Sequence, residues 1–414
     1  MRRALLLLVF FFFSVLLNAQ ISPNGDSSSK KYGLFSYNPS TQIDLIDIAT
    51  HLLKKTFPRR VDTIVDKKGK VHAGAFPAAG YTLETGFAGV ISADAAFFTN
   101  NHNHNHEQEN ISTIITSIAY TSKNQIIFPL QSNIWINANK YNVLTDWRFL
   151  KVPSETFGLG GHTKQDSGYS LNYSYIRVHQ TLLGRIGKEL YAGMGYDLDY
   201  FWNIRELEQT TGQSDYQNYG FHSTEISSGI SLNLLYDTRR NPLNPLRGIY
   251  ANIDFKPKFT FLGSSSNWQS LLLEFRTYHK FPEGSMNILA FWSYNWFTVS
   301  GTPPYLLLPS TGWDEFSNTG RGYVQGRFRS RNMLDQELEY RFGITPNGLF
   351  GGVVFVNAQS FSDKASKRFE VISPGAGIGI RIKLNKFSRT NVALDYAWGT
   401  QGSQGFFVNL GEVF

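Results

Sequence analysis

The residues best placed to do chemistry are Arg321 and Glu339. Arg321 sits between glycines in the run Gly320-Arg321-Gly322-Tyr323-Val324-Gln325-Gly326-Arg327. Glycine lets a backbone pack closely, and a guanidinium presents five N–H donors in a fixed fork that matches a carboxylate. Downstream, Asp335, Glu337, Glu339 and Arg341 alternate with Gln336, Leu338, Tyr340 and Phe342. Side chains along a strand point alternately to opposite faces, so the charged set shares one face. Glu339 is the expected partner of Arg321, in a bidentate pair that would pin the glycine loop to the strand. The other reading leaves Arg321 as one of several solvated arginines. Asn101-His102-Asn103-His104-Asn105-His106 invites a metal reading, but only Glu107 and Glu109 lie close by, and a solvated loop is preferred. No nucleotide-binding glycine loop, zinc-helix motif or hydrolase nucleophile motif occurs. With no cysteine among the 414 residues, disulfides, thiol catalysis and lipoprotein acylation are excluded.

The elements that must position these residues are strands. Charged residues make up 17% of the chain, against about 25% in ordinary soluble domains. Aromatics reach 15%, with 37 Gly, and no apolar run is long enough for a membrane-spanning helix. After Tyr81 the hydrophobic period is two. Ile372, Ala376, Ile378, Ile380, Ile382 and Leu384 oppose Ser373, Gly375, Gly377, Gly379, Arg381 and Lys383, and the segment from Gly248 to Phe261 repeats the pattern. Strands with one face in lipid and one in a wet lumen require this alternation. The expected fold is all-β, a transmembrane antiparallel β-barrel of about sixteen strands.

Residues 1–19 read as a signal peptide, with Arg2 and Arg3 before an apolar run and a small residue, Ala19, at the cleavage point. A membrane anchor is the alternative, disfavoured by the short run. Losing Arg2 and Arg3 takes the formal charge of +7 down by two, and no basic block suggests nucleic acid. Residues 20–80 form an expected periplasmic segment with one short amphipathic helix, from Ile43, Leu45, Ile46, Ile48, Ala49, Leu52 and Leu53. That helix could dock on the barrel mouth, lie at a membrane surface or recruit a partner.

The barrel is expected over 81–414, with strands from 85–99 to 404–414 and one at 156–164 needed to keep the count even. On this count the short turns 282–284 and 345–347 face the periplasm, and 100–109, 203–220 and 301–330 lie outside. The segment from Asp237 to Gly248 reads as a rigid turn, with Pro242 and Pro245 fixing φ and Asp237 and Asn241 able to bind nearby amides. A periplasmic contact is the second reading.

Three segments resemble one family. Asp237-Thr238-Arg239-Arg240-Asn241-Pro242-Leu243-Asn244-Pro245-Leu246-Arg247-Gly248 is similar to the periplasmic turn of the bacterial surface-antigen barrels. Residues 320–332, with Arg321, Gly322 and Tyr323 at the tip, resemble that family's inward-folded long loop, and Leu338-Glu339-Tyr340-Arg341 its next strand. The family belongs to the outer-membrane assembly and translocation superfamily that includes BamA and TamA. The resemblance implies a bacterial outer-membrane location and help in inserting or translocating protein, or in perturbing the bilayer for lipid movement. It implies no catalysis and no cofactor. Its candidate partners are outer-membrane lipids, outer-membrane protein clients and periplasmic proteins. It also implies a second acid beside Glu339, at a position matched here by Asn357. On that reading Asn357→Asp would hold the loop more firmly, and Glu339 would have no charged substitute. The terminal Phe414, on one face with Phe406, Val408 and Leu410, resembles the insertion signal of such barrels, with Glu412 expected at headgroup level. The larger relatives carry POTRA domains before the barrel, and none is expected here. A passive pore with a loop-plugged lumen is the alternative function, and an outer-membrane hydrolase the third.

Signal cleavage is testable by sequencing the N-terminus of the protein purified from membranes. Gln20 is expected as its first residue, and an intact Met1 would leave the anchor reading.

Overall fold

The computed structural model describes residues 42–54, 71–82, 86–99, 109–207, 214–220 and 222–414. Among these residues sixteen antiparallel strands follow one another around a single sheet in chain order. They are β1 (His72–Thr82), β2 (Gly86–Phe97), β3 (Ser112–Thr121), β4 (Ile126–Ile136), β5 (Tyr141–Thr156), β6 (Tyr169–Gly187), β7 (Leu190–Glu206) and β8 (Thr224–Asp237), then β9 (Gly248–Lys258), β10 (Trp268–Lys280), β11 (Ile288–Gly301), β12 (Asn332–Gly343), β13 (Phe350–Phe361), β14 (Ser373–Asn385), β15 (Thr390–Trp398) and β16 (Gln404–Leu410). The sheet curls into a barrel, so that β1 and β16 meet; unlike every other neighbouring pair, they exchange no ladder among the described residues. Apolar residues such as Ile118, Met194, Val356 and Ile378 face outward and are exposed, while the charged alternates face the lumen and are buried. On β12 the expected face of Asp335, Glu337, Glu339 and Arg341 is the buried one. On β14 the alternation fails at Leu384, which a register shift between Lys383 and Asn385 turns inward.

The strand count agrees with the sequence reading, but two strands differ. No strand forms over 156–164, because β5 ends at Thr156 and Gly158 and Gly160 take φ of +96° and +106°, which interrupts an extended run. The missing member is β1, whose sequence His-Ala-Gly-Ala-Phe-Pro-Ala-Ala-Gly-Tyr-Thr is weak in β-formers. Pro77 is tolerated there because one side of β1 has no ladder to interrupt. This exchange reverses β2 to β5. The connection between β2 and β3, expected outside, therefore lies at the end that carries the short turns: Asn110 N–H donates to Asn139 Oδ1 (3.1 Å), and Ile111 N–H to Arg240 O (3.4 Å). We call this the turn end and the other the loop end. The histidine tract 101–106 and residues 1–19 fall outside the described residues.

The expected helix is α1 (Leu45–Lys54). Asp44 and Asp47 cap it reciprocally, Asp47 N–H donating to Asp44 Oδ1 (2.8 Å) and Asp44 N–H to Asp47 Oδ2 (3.2 Å). The same carboxylates moor it to the turn end. Lys386 donates from its backbone N–H to Asp44 (2.9 Å) and from Nζ to Asp47 (2.7 Å), while Ile43 N–H donates to Asn347 O (3.0 Å).

Because Asp44 is both cap and mooring, Asp44→Ala should release α1. An N-cap is worth about 0.5–2 kcal/mol, which corresponds to roughly two- to thirtyfold faster thiol labelling of an Ile48→Cys probe in this cysteine-free chain. Unchanged labelling would show that the apolar face alone holds the helix.

Candidate functional site in the lumen

The long connection between β11 and β12, residues 302–331, folds into the lumen. Its first half packs Tyr305 to Leu308 and Trp313 on the inner faces of β6 and β7, against Tyr173, Tyr175 and Phe201. Its second half packs Tyr323 and Phe328 on Phe361 of β13. Between them and the turn end lies a polar chamber of about 220 Å³, lined by Arg177, Asp199, Lys256, Glu274 and Arg276 among others.

The tip is seated by its backbone as much as by its side chains. Gly322 adopts φ +109°, and a Cβ there would lie 2.8 Å from the Trp398 carbonyl oxygen. Its own carbonyl accepts from Ser403 Oγ (2.7 Å). Tyr323 donates from its hydroxyl to Pro374 O (2.6 Å) and accepts from Thr400 N–H (2.9 Å). Arg321 is fully buried and stacks 3.5 Å from the centre of the Phe355 ring. Its guanidinium donates to Glu339 (2.6 Å), Glu337 (3.2 Å) and Asp395 (2.6 Å), all buried.

These contacts belong to a ring of alternating charge. Glu339 accepts from Arg341 (2.6 Å), Arg341 lies 3.7 Å from Glu412, Glu412 accepts from Arg381 (2.8 Å), Arg381 pairs with Asp395, and Asp395 returns to Arg321. The ring ties the loop to β12, β14, β15 and the C-terminal tail. Of its members the sequence names Arg321 and Glu339 as partners and places Arg341 and Arg381 on a lumen face. It leaves Asp395 unassigned, although that residue alternates with Leu394 and Tyr396 as a lumen residue should.

Asn357 does not play the part expected of it. It stands opposite Glu337 on the ladder, and its Nδ2 donates to the backbone carbonyl of Arg321 (2.8 Å) instead of accepting from the guanidinium. The expectation that Glu339 lacks a charged substitute is corrected by Glu337 and Asp395.

The C-terminus also departs from expectation. Phe406 faces outward at 54% exposure, and Leu410 is half-buried at the strand's end. Gly411, at φ +98°, turns the chain inward. Phe414 is 2% exposed and stacks on Trp292 at 5.2 Å, so it does not share the outer face. Its carbonyl accepts from Arg341 (2.9 Å), and Val413 O accepts from Asn318 of the long loop (2.7 Å). Glu412 lies in the lumen, not at a headgroup level.

The segment 237–248 forms a turn with a wider reach. Asp237 takes Arg239 in a two-point pair (3.0 and 2.9 Å), and Arg239 covers the Tyr250 ring at 4.2 Å. Asn241 Oδ1 accepts from Leu243 N–H (2.9 Å) and Asn244 N–H (3.1 Å), and Gly248 takes φ +118° beneath the Thr238 carbonyl. Pro242 lines the chamber and Pro245 is buried. The turn spans the mouth. Asn241 donates to Ser388 O (2.8 Å), Asn244 to Arg389 O (3.1 Å), and Leu243 O accepts from Glu412 N–H (3.1 Å).

At the loop end, His162, Asp363 and Glu370 bring ligand atoms within 4.8 Å of one another, a cluster the sequence did not suggest. Backbone N–H groups of Ser366 and Ala365 hold the Asp363 carboxyl below its ordinary range. The Ser366 hydroxyl and His162 do the same for Glu370. The His162–Glu370 contact is a solvent-exposed pair at 3.3 Å.

Removing one partner of a buried ion pair costs about 3–5 kcal/mol, because the other charge is left uncompensated. Arg321→Ala should therefore lower the melting temperature and open residues 302–331 to protease while the barrel stays inserted. Glu339→Gln and Asp395→Asn should each couple to it in double-mutant cycles; additive effects would show that the side chains do not meet. Asn357→Asp should loosen the loop, since it replaces a donor with a carboxylate facing the Arg321 carbonyl and Glu337. A firmer loop in that variant would mean that a carboxylate at this position reaches the guanidinium after all.

The Omp85 superfamily domain matches residues 148–414. No curated protein matches the sequence. Among solved structures, BamA from Haemophilus ducreyi lacking POTRA domains 1–3 is similar at 14% identity and a TM-score of 0.52, over 82% of this chain and 70% of that one. CdiB from Acinetobacter baumannii (11% identity, TM-score 0.50) is covered over 60% of its length by 83% of this chain. CdiB from Escherichia coli (7%, 0.51) is covered over 62% by 82% of this chain. These likenesses show a shared barrel fold, and with the domain match over most of its length this chain belongs to the Omp85 superfamily.

Proposed function

We propose that the protein is an outer-membrane biogenesis barrel that helps insert or translocate outer-membrane proteins, or perturbs the bilayer for lipid movement, without catalysis. The observation that supports this most is that, among the described residues, β1 and β16 exchange no ladder. Every other strand is paired on both sides, so opening the barrel anywhere else breaks a run of backbone hydrogen bonds in a medium that cannot replace them. At β1 and β16 that cost is absent. Strand edges left without partners template pairing with another chain, which gives a client strand somewhere to form.

A passive pore is the second reading, favoured by the polar chamber beneath the loop. The two readings separate on two experiments. A cysteine pair placed across β1 and β16 should, when oxidised, abolish rescue of outer-membrane protein levels in depleted cells, and reduction should restore it. Full activity of the oxidised form would sink the seam reading. Ion conductance that rises on removal of residues 302–331, with no effect on other membrane proteins, would establish the pore.

A further inference from the structure

Three neighbouring turns at the turn end gather basic side chains on one flank of the barrel. Lys140 closes the β4–β5 turn, Arg185 and Lys188 lie at the β6–β7 turn, and Arg240 belongs to the β8–β9 turn; all four are exposed. The turns are bonded to one another, so the cluster is built by the fold. Arg185 N–H donates to Lys140 O (2.9 Å), and Asp237 N–H donates to Glu189 O (3.0 Å). Glu189 is the one acid in residues 137–140, 187–190 and 238–247, and Arg240 already engages it at 3.1 Å. The rest of this end is different. Near the β10–β11 turn Glu283 follows Lys280 by three residues in the sequence, and Lys386 is taken up by Asp44 and Asp47.

The outer face next to the cluster is apolar and marks where lipid begins. Leu182 and Ile186, at 55% and 62% exposure, precede the β6–β7 turn, and Tyr236 leads into the β8–β9 turn. Lys140 Nζ lies 5.4 Å above the ring of the exposed Tyr141. An aromatic at the interface with a cation beyond it is the arrangement that meets a headgroup.

We propose that this flank is a binding surface for anionic phospholipids, with the phosphodiester between Lys140 and Lys188 and the acyl chains along Leu182 and Ile186; Arg185, opposite buried Tyr191 on the ladder, belongs to the inner face. The inference rests on the barrel lying in a bilayer and not on its role in assembly. A bare phosphate would satisfy the cations but leave the apolar strip unused, so the surface is assigned to lipid.

The test uses the full chain in nanodiscs, with native mass spectrometry counting retained lipid. Phosphatidylglycerol should be retained over phosphatidylcholine. Each basic residue near an anionic lipid surface is worth about fivefold in affinity, so Lys140→Gln and Lys188→Gln should each show a loss of about that size. The double variant should lose about thirtyfold, and raised salt should weaken retention in the parent. Lys280→Gln, at the next turn along the rim, between β10 and β11, should change nothing. Heat-modifiable migration confirms insertion of each variant, so failure to form a barrel is distinguishable from failure to hold lipid. Equal retention of both lipids, retention unaffected by the single variants, or displacement by inorganic phosphate alone would overturn the proposal.

Discussion

The structure depends on the closed ring of charge around Arg321. Arg321, Arg341 and Arg381 alternate with Glu339, Glu412 and Asp395, and Glu337 adds a further acid that also accepts from Gly320 N–H (3.0 Å). None of these side chains has appreciable solvent, so each charge is supportable only while its neighbours remain. Such a network is cooperative in a plain sense. Withdrawing one member leaves an excess charge that the rest cannot hydrate. The inward position of the long loop is therefore conditional on β12, β14, β15 and the tail being in place together.

That condition bears on the ends of the sheet. Glu412 and Phe414 come from the last residues of the chain, which leave the wall after Leu410 and enter the lumen. A residue that anchors the loop is thus also the continuation of β16. The turn-end belt acts on the same segment, since Leu243 accepts from Glu412 N–H while Asn241 and Asn244 grip the β14–β15 turn. On the β1 side, buried Asp94 of β2 accepts from Ser388 (3.1 Å) and Thr390 (3.0 Å). The two ends of the sheet are held near one another by side chains reaching across the inside, in place of the backbone ladder that joins all other pairs.

Much of this is legible in alternation. Period two identifies the wall, and on β12 it places Glu337, Glu339 and Arg341 in the lumen, because a strand's faces are fixed by geometry alone. What alternation cannot supply is which lumen residues meet. Asp395 reaches Arg321 from β15, 74 residues along the chain, and only closure of the barrel brings them together. Direction along the barrel is likewise out of reach. A false strand at 156–164 compensates for an unrecognised β1, so the count comes out right while β2 to β5 run backwards. The C-terminal expectation fails for a third reason. The even spacing of Phe406, Leu410 and Phe414 holds only while the chain stays extended, and one left-handed residue, Gly411, ends that.

The difference between a ladder and a few side-chain ties is one of how free energy is distributed. A ladder of backbone hydrogen bonds opens progressively, and each step exposes groups that lipid cannot satisfy. The ties here are concentrated in a small number of charge-assisted contacts that lie inside the lumen, away from lipid. Such contacts can be exchanged for others of the same kind without passing through an unsatisfied state, provided that the incoming groups carry charge or hydrogen-bonding capacity. Displacing the tail would leave Arg341 and Arg381 still paired with Glu339 and Asp395, so the ring can lose Glu412 with less disruption than it can lose Arg321. Within this barrel the loop is consequently the firmer element and the tail the more readily exchanged one, and it is the tail that continues the strand at the unladdered end.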